Sequence, residues 1–163
     1  MQPTIIRKEK LLITGLTGDG QQTCRVWGDF EGAYDANPFP KANEHGYEIR
    51  FWSEEKPVPE GSDIHVGFLA KDTDARGTDG FTTITLPLAE YAVFDVHVAK
   101  GYDSGNEEMD KWLEDNSSVY KPLLMGSMGY IVECYNDDKF KGGDKPDSVV
   151  EMWLPVERVK APE

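Results

Sequence analysis

Glu133 is the residue whose type and setting most directly suggest chemistry. It lies within residues 130–135, a segment that is otherwise apolar or aromatic and predicts a β-strand. Because alternate side chains of a strand share a face, Glu133 would lie beside Tyr135, whereas Val132 and Cys134 would pack under helices. A carboxylate among aromatic rings needs a hydrogen-bond donor or a cation, and an organic cation would also contact the ring faces. The sequence leaves open the alternative of a solvated Glu on the exposed face of a sheet.

An internal repeat places aromatic residues at related positions in the two halves of the chain. A stretch that begins at Gly46 recurs 83 residues later. This offset pairs Trp52 with Tyr135, and Phe68 falls at a point similar to that of Trp153 on the last strand of its half. We therefore predict that these four rings line one cleft, although burial in the core is the commoner fate of a large aromatic side chain.

Arg50 occupies the position that repeats Glu133. A guanidinium there could pair with Glu133, neutralise it and favour neutral or anionic ligands. A cationic ligand therefore requires that the two side chains lie out of reach of each other.

Two helices and several β-rich segments would position these residues. One helix is predicted at Thr23–Ala36, where Trp27 is expected in the core or at the rim of the cleft. A second helix is predicted to start at a capping box of Ser104 and Glu107 and to end near Asn116. The β-rich segments are 4–16, 47–53, 63–71, 81–100, 129–136 and 149–156.

The order of these elements predicts the fold class. Strand, helix, strand and strand follow one another twice, over about residues 4–80 and about residues 81–158. Two such βαββ units bury their sheets best when they join, so we predict one α+β domain over residues 1–163. We expect an antiparallel sheet with helices on one face and the shared cleft on the other.

The composition excludes several classes of protein. The 163 residues carry a net charge of −13, and we expect no direct binding to nucleic acid, because phosphates are neutralised by clustered Lys and Arg. No apolar run approaches the ~18 residues of a transmembrane helix, and no apolar signal core follows the N-terminus, so a cytoplasmic protein without membrane binding is expected. Cys24 and Cys134 are expected as free thiols, with a single disulfide as the alternative. His45, His65 and His97 lack the spacing of metal ligands, so no metal or other cofactor is expected.

Four motifs follow one another in the second half of the chain. They are Leu88-Ala-Glu-Tyr-Ala-Val-Phe94, Trp112-Leu113 with Asn116, Tyr130-Ile-Val-Glu-Cys-Tyr-Asn136, and Val150-Glu-Met-Trp-Leu-Pro-Val-Glu157. This order resembles the GyrI-like superfamily of small-molecule-binding domains, which is also called AraC-type effector-binding or BmrR-like. The resemblance covers roughly residues 82–157 and is weaker over residues 1–80.

The resemblance implies two βαββ repeats related by a pseudo-two-fold axis, with a pocket between them. Members bind lipophilic and often cationic compounds between aromatic walls, and their central acidic residue matches Glu133. Many members are fused to a DNA-binding region, for which this chain has no room, so it is similar to the stand-alone type. The residues expected to contact a ligand are Glu133, Tyr135, Trp153, Tyr130, Trp52, Phe68, Arg50 and Tyr91.

Three functions compete at this point. The first is an effector sensor or drug-sequestering module that binds a lipophilic cation, with Glu133 as the counter-charge. The second is a hydrolase of reactive electrophilic compounds, in which Glu133 is a general base and Tyr135 its hydrogen-bond partner. The third is a protein-interaction module like the gyrase inhibitors, whose acidic surface meets a basic partner. A homodimer is a further possibility for the assembly.

Overall fold

The computed structural model describes residues 2–53, 58, 61–71, 80–142 and 145–159. The predicted linker at 72–80 lies almost wholly outside the described residues, as does the end of the chain. The described elements are β1 (Thr4–Lys8), β2 (Leu11–Gly18), α1 (Thr23–Ala36), β3 (Lys41–Ser53), β4 (Ile64–Ala70), β5 (Thr82–Leu86), β6 (Ala89–His97), α2 (Tyr102–Asp115), β7 (Tyr120–Pro122), β8 (Met128–Tyr135) and β9 (Val149–Arg158).

The strands form one antiparallel sheet with internal symmetry. Its order is β1-β6-β9-β8-β3-β4-β2-β5, and β7 pairs with β9. Strands at equal distances from the two ends of this order are equivalent strands of the two repeats. The equivalent strands β3 and β8 form the central pair. Glu48 lies opposite Glu133 in that pair, and Arg50 lies opposite Ile131. The predicted α+β fold of two βαββ repeats is therefore confirmed.

Both helices pack on the same face of the sheet. From α1, the buried side chains Val26 and Phe30 contact Ile64 and Val66 of β4. From α2, Met109 and Trp112 belong to a second cluster with strands β6, β8 and β9, which includes Phe94, Ile131 and Met152. Neither α1 nor α2 covers the sheet between the two clusters, and this gap is the pocket described below.

The opposite face of the sheet has a core of its own. It contains Tyr91, Tyr130, Val132, Cys134 and Trp153, and no residue of α1 or α2 belongs to it. The sheet curls into a half-barrel, so its outer and central strands cover one another on this face. The expectation that Val132 and Cys134 pack under helices is therefore wrong, and the cleft lies on the helical face and not opposite to it.

The bounds of α1, β4, β8 and β9 agree with the sequence within two residues, but β3 begins at Lys41 and the segments 4–16 and 81–100 each divide into two strands. The start of α2 also differs from the prediction. The helix begins at Tyr102, after Gly101 with a φ of 84°, and no side chain caps it. Such a positive φ favours glycine, which explains the residue type at this turn. Ser104 and Glu107 lie inside the helix, so the predicted capping box is wrong. Among the described residues, no helix is long and apolar enough to cross a membrane.

Candidate functional site

A pocket of about 800 Å³ lies between α1 and α2, above the central strands of the sheet. Its walls come from both helices, from both repeats and from the segment after β8. The lining residues are Thr23, Cys24, Trp27, Glu31, Gly46, Glu48, Arg50, Phe68, Tyr102, Asp103, Asn106, Ile131, Glu133, Tyr135, Asp137 and Phe140.

Two buried carboxyl groups form the floor of this pocket. Glu48 on β3 and Glu133 on β8 are cross-strand neighbours, and they are only 1% and 4% exposed. Burial and the proximity of Glu48 raise the pKa of Glu133. Trp27 of α1 donates from Nε1 to Glu48 Oε1 at 2.8 Å. The central strand pair thus concentrates acidic groups where water is largely excluded.

Arg50 is the counter-ion of both carboxyl groups. Its Nη2 lies 2.8 Å from Glu48 Oε2, and its Nε lies 3.4 Å from Glu133 Oε2. It also donates from Nη2 to Thr23 Oγ1 at 3.2 Å. Burial lowers the pKa of Arg50, but the charges of Glu48 and Glu133 outweigh this effect and the net shift is upward. The guanidinium therefore stays charged, and the three groups carry a net charge of −1 when both carboxyl groups are ionised.

The protonation of Glu133 follows from this environment. Burial raises the pKa of Glu133 from 4.5 to about 9, and the hydrogen bond and negative charge of Glu48 act in the same direction. Arg50 opposes the shift without cancelling it. At neutral pH Glu133 therefore retains its proton.

Aromatic rings surround the carboxyl groups. Tyr135 contacts Trp27 edge-on, with ring centres 5.7 Å apart, and Phe140 at 4.9 Å. Tyr102 at the start of α2 lines the same pocket. Burial, followed by the charges of Glu133 and Glu48, raises the pKa of Tyr135, so it remains a neutral phenol. Phe68 lies on the other wall, where the ammonium of Lys41 is 4.2 Å from its ring centre.

The structure brings half of the predicted residues together. Arg50, Phe68, Glu133 and Tyr135 line the pocket. Trp52 lies on the same face of the sheet but lines a neighbouring groove.

The other three predicted residues lie away from the pocket. Trp153, Tyr91 and Tyr130 are buried in the core on the opposite face. There the hydroxyls of Tyr91 and Tyr130 lie 2.9 Å apart, and Trp153 donates from Nε1 to Glu151 at 3.0 Å.

The register of β9 explains why Trp153 is displaced. Trp153 lies opposite Val132, and the repeat counterpart of Val132 is Ile49, which lies opposite His65. The counterpart of Trp153 is therefore His65 and not Phe68. The two assignments differ by three residues, and an odd shift moves a side chain to the other face of a strand.

Sequence reasoning missed Glu48, and it did not single out Trp27. The alternation of Glu48 and Arg50 with apolar neighbours is typical of a strand with one solvated face, and that polar face is the pocket floor. Trp27 was expected chiefly as a core residue, but its indole N–H reaches into the site. Only the pairing of β3 with β8 reveals that Glu48 faces Glu133.

Comparison with known proteins identifies the fold. No family model and no curated protein sequence matches the chain. The structure of SAV2435 bound to tetraphenylphosphonium aligns with a TM-score of 0.62 at 15% identity, over 96% of this chain and 94% of that one. The C-terminal domain of EcmrR aligns with a TM-score of 0.66 at 13% identity, over 97% of this chain and 98% of that one. In the complex of EcmrR with DNA, the match spans 58% of the EcmrR chain. The chain therefore shares the fold of these structures, as expected from the resemblance of its motifs to the GyrI-like superfamily.

Proposed function

We propose that this protein binds lipophilic cationic small molecules in the pocket between α1 and α2, as an effector sensor or a drug-sequestering module. The observation that carries the proposal is the pair of buried carboxyl groups, Glu48 and Glu133, at the floor of an aromatic pocket. Arg50 is the one basic side chain among the described lining residues. Two ionised carboxyl groups and one guanidinium carry a net charge of −1, so one additional positive charge would neutralise them.

The reach of Arg50 bears directly on this proposal. A cationic ligand was expected to require Arg50 out of contact with Glu133, but the two side chains do contact each other. Glu48, which the sequence did not single out, supplies a second negative charge that offsets the charge of Arg50. With both carboxyl groups ionised, Arg50 and one monovalent cation together neutralise the cluster.

The size and walls of the pocket suit the same class of ligand. A volume of about 800 Å³ lies within the usual range for drug-sized ligands. The rings of Trp27, Tyr135 and Phe68 offer faces and edges to an aromatic cation. SAV2435, which shares the fold, binds tetraphenylphosphonium, and this supports the proposal by analogy.

A pair of ions of matched shape tests the proposal. Tetraphenylphosphonium and tetraphenylborate differ in the sign of their charge but have nearly the same size. We expect the cation to bind and quench tryptophan fluorescence, because Trp27 lines the pocket, and we expect the anion to bind at least tenfold more weakly. Anion binding as tight as cation binding would refute the role of the carboxyl groups.

Variants separate the buried charge from general acidity. Glu133→Gln is expected to weaken binding of tetraphenylphosphonium at least tenfold at pH 9, where Glu133 is substantially ionised in the wild type. Glu31→Gln is the matched control, because Glu31 lies in the pocket wall on the exposed side of α1. We expect this control to change the affinity by less than twofold, since exposed charges are screened by solvent.

The carboxyl pair also favours a second candidate function, hydrolysis of reactive electrophilic compounds. Two acids with a proton held between them are a common arrangement in acid–base catalysis. With a pKa of about 9, Glu133 is protonated at neutral pH and acts as the expected general base only in alkaline solution. Turnover of an aryl epoxide that rises towards pH 9 and is lost in Glu133→Gln would support the hydrolase. Absence of turnover between pH 6 and pH 10 would reject it.

A further inference from the structure

A second concavity of about 220 Å³ adjoins the pocket on the helical face of the sheet. We call it the Trp52 groove, and its walls include Trp52, Met109, Leu113, Leu124 and Gly129. Asn106 and Ile131 line both the groove and the pocket. The two cavities are therefore neighbours that share a wall.

The indole of Trp52 packs at the base of this groove, where the residue opposite it has no side chain. Trp52 lies across from Gly129 in the β3–β8 pair. A Cβ at Gly129 would lie 2.4 Å from the indole ring, so the ring rests directly on the backbone of β8. Trp52 is nevertheless 44% exposed. The ring thus packs on the backbone of β8 and is partly exposed to solvent.

The pseudo-two-fold axis relates this arrangement to the wall of the main pocket. Trp52 is the repeat counterpart of Tyr135, and Tyr135 lies opposite Gly46 just as Trp52 lies opposite Gly129. Tyr135 lines the pocket beside the carboxyl pair. The duplication has therefore placed one aromatic platform on each side of Glu48 and Glu133.

The chemistry of the groove selects what it can hold. Leu124 in its wall is 46% exposed, and the other walls are mainly apolar. Asn106 and Asp110 are the polar side chains at its rim, and the described lining residues include no base. Such a site favours a neutral or cationic aromatic group over an anion. A cavity of roughly 150 Å³ holds a benzene ring, so the groove has room for one or two rings.

We propose that the Trp52 groove is a second subsite, which binds an aromatic arm of an elongated ligand whose cationic centre lies at Glu48 and Glu133. This proposal rests on the proposed function and extends it from compact cations to long ones. The shared wall at Asn106 and Ile131 favours an arm of the same ligand as the occupant. Gly129 and Glu133 are four residues apart on β8, which is about 13 Å along a strand. The two groups of the ligand should therefore be separated by about this distance.

A series of triphenylphosphonium compounds tests the subsite. Each carries an alkyl chain of two to twelve carbons, with or without a terminal naphthyl group. We expect the naphthyl group to improve affinity about tenfold when the chain spans about 13 Å, and to add little when the chain is short. If the naphthyl group gives no advantage at any length, the subsite does not exist.

Variants of exposed residues connect this gain to the groove. Trp52→Ala and Leu124→Ser should each remove most of the naphthyl advantage, whereas Trp52→Phe should retain it. Affinity for tetraphenylphosphonium should change by less than twofold in all three variants. An equal loss for compact and elongated ligands would overturn the proposal, because it would indicate a general change in the fold.

The outcomes separate this proposal from the proposed function. If the wild-type protein fails to bind tetraphenylphosphonium, the proposed function itself is refuted. If it binds that cation but shows no naphthyl advantage, only the subsite is refuted. If Trp52→Ala converts a dimer into a monomer by analytical ultracentrifugation, the groove belongs to a second copy of the chain and the subsite is rejected.

Discussion

Binding of a cation should release a proton from the pocket. In the empty protein, burial and the neighbouring Glu48 raise the pKa of Glu133 to about 9, so Glu133 is protonated at pH 7. A cation placed beside the carboxyl pair favours the ionised form and expels that proton. Affinity should therefore increase with pH as far as the pKa of the empty protein.

The size of this effect follows from the distance between the assay pH and the pKa. At pH 7, with a pKa of about 9, ionising Glu133 costs about 3 kcal/mol, because each pH unit corresponds to about 1.4 kcal/mol. The dissociation constant should therefore fall close to tenfold per pH unit from pH 7 to pH 8, and about a hundredfold in total once the pH is well above 9. Close to one proton should leave for each cation that binds at pH 7.

Isothermal titration calorimetry measures both quantities. Titrations with tetraphenylphosphonium at pH 7 in phosphate and in Tris differ in observed enthalpy by the number of protons released times the difference in buffer ionisation enthalpy. Repeating them from pH 6 to pH 10 gives the slope of affinity against pH. Glu133→Gln has no proton to release, so its weaker affinity should be independent of pH over this range.

A specific result would refute this reasoning. If the wild type binds the cation with the same affinity from pH 6 to pH 9 and releases no proton, Glu133 is not the titrating counter-charge. Cation–π contacts alone would then account for binding.

Three further predictions concern stability. The pKa of Glu133 rises from 4.5 to about 9 on folding, so the folded protein becomes less stable as the pH rises through that range. Glu133→Gln removes this effect. It should raise the free energy of unfolding in urea by up to about 3 kcal/mol at pH 7 and by little at pH 4. Burial lowers the pKa of His65 from 6.5 to about 4, against the opposing effect of its hydrogen bond to Ile13. Acidification from pH 6.5 to pH 4 should therefore lower the free energy of unfolding by about 3 kcal/mol through this residue. His65→Gln should show a correspondingly flatter acid denaturation curve. Gly15→Ala should lower the melting temperature sharply, because its Cβ would overlap a backbone oxygen of β4, whereas Gly32→Ala, with no atom within 4 Å of the new Cβ, should stabilise α1 by about 0.5–1 kcal/mol.

The elements were predictable where the signal was local. The apolar periodicity of Trp27 and Phe30 predicted α1 with its observed bounds, Thr23–Ala36. The second helix was also predicted, but its start was misplaced because Gly101, with its positive φ, begins the helix without a capping side chain. The face of Val132 was assigned wrongly because both faces of β8 are apolar enough to be buried. A strand pattern shows that two faces differ, but not which of them receives the helices.

The site was predictable only in part. Glu133 and Tyr135 stand out because a single carboxylate in an apolar strand is rare, and their shared face follows from the alternation of side chains. Trp153 was assigned to the pocket through a repeat alignment that was three residues out of register on β9. Glu48 was overlooked because nothing near it in the sequence distinguishes a carboxylate facing solvent from one facing a buried partner.

The sequence by itself determined the duplication, the alternation of strands and helices, and the acidic residue within an aromatic strand, because each is a property of neighbouring residues or of a repeat at constant offset. The tertiary structure alone decided that β3 pairs with β8 around the pseudo-two-fold axis, so that Glu48, Glu133 and Arg50 meet. It also decided that the sheet curls and buries its other face, including Trp153, without helices. These features depend on strand register and sheet curvature, which arise from contacts between residues far apart in the chain and leave no local trace in the sequence.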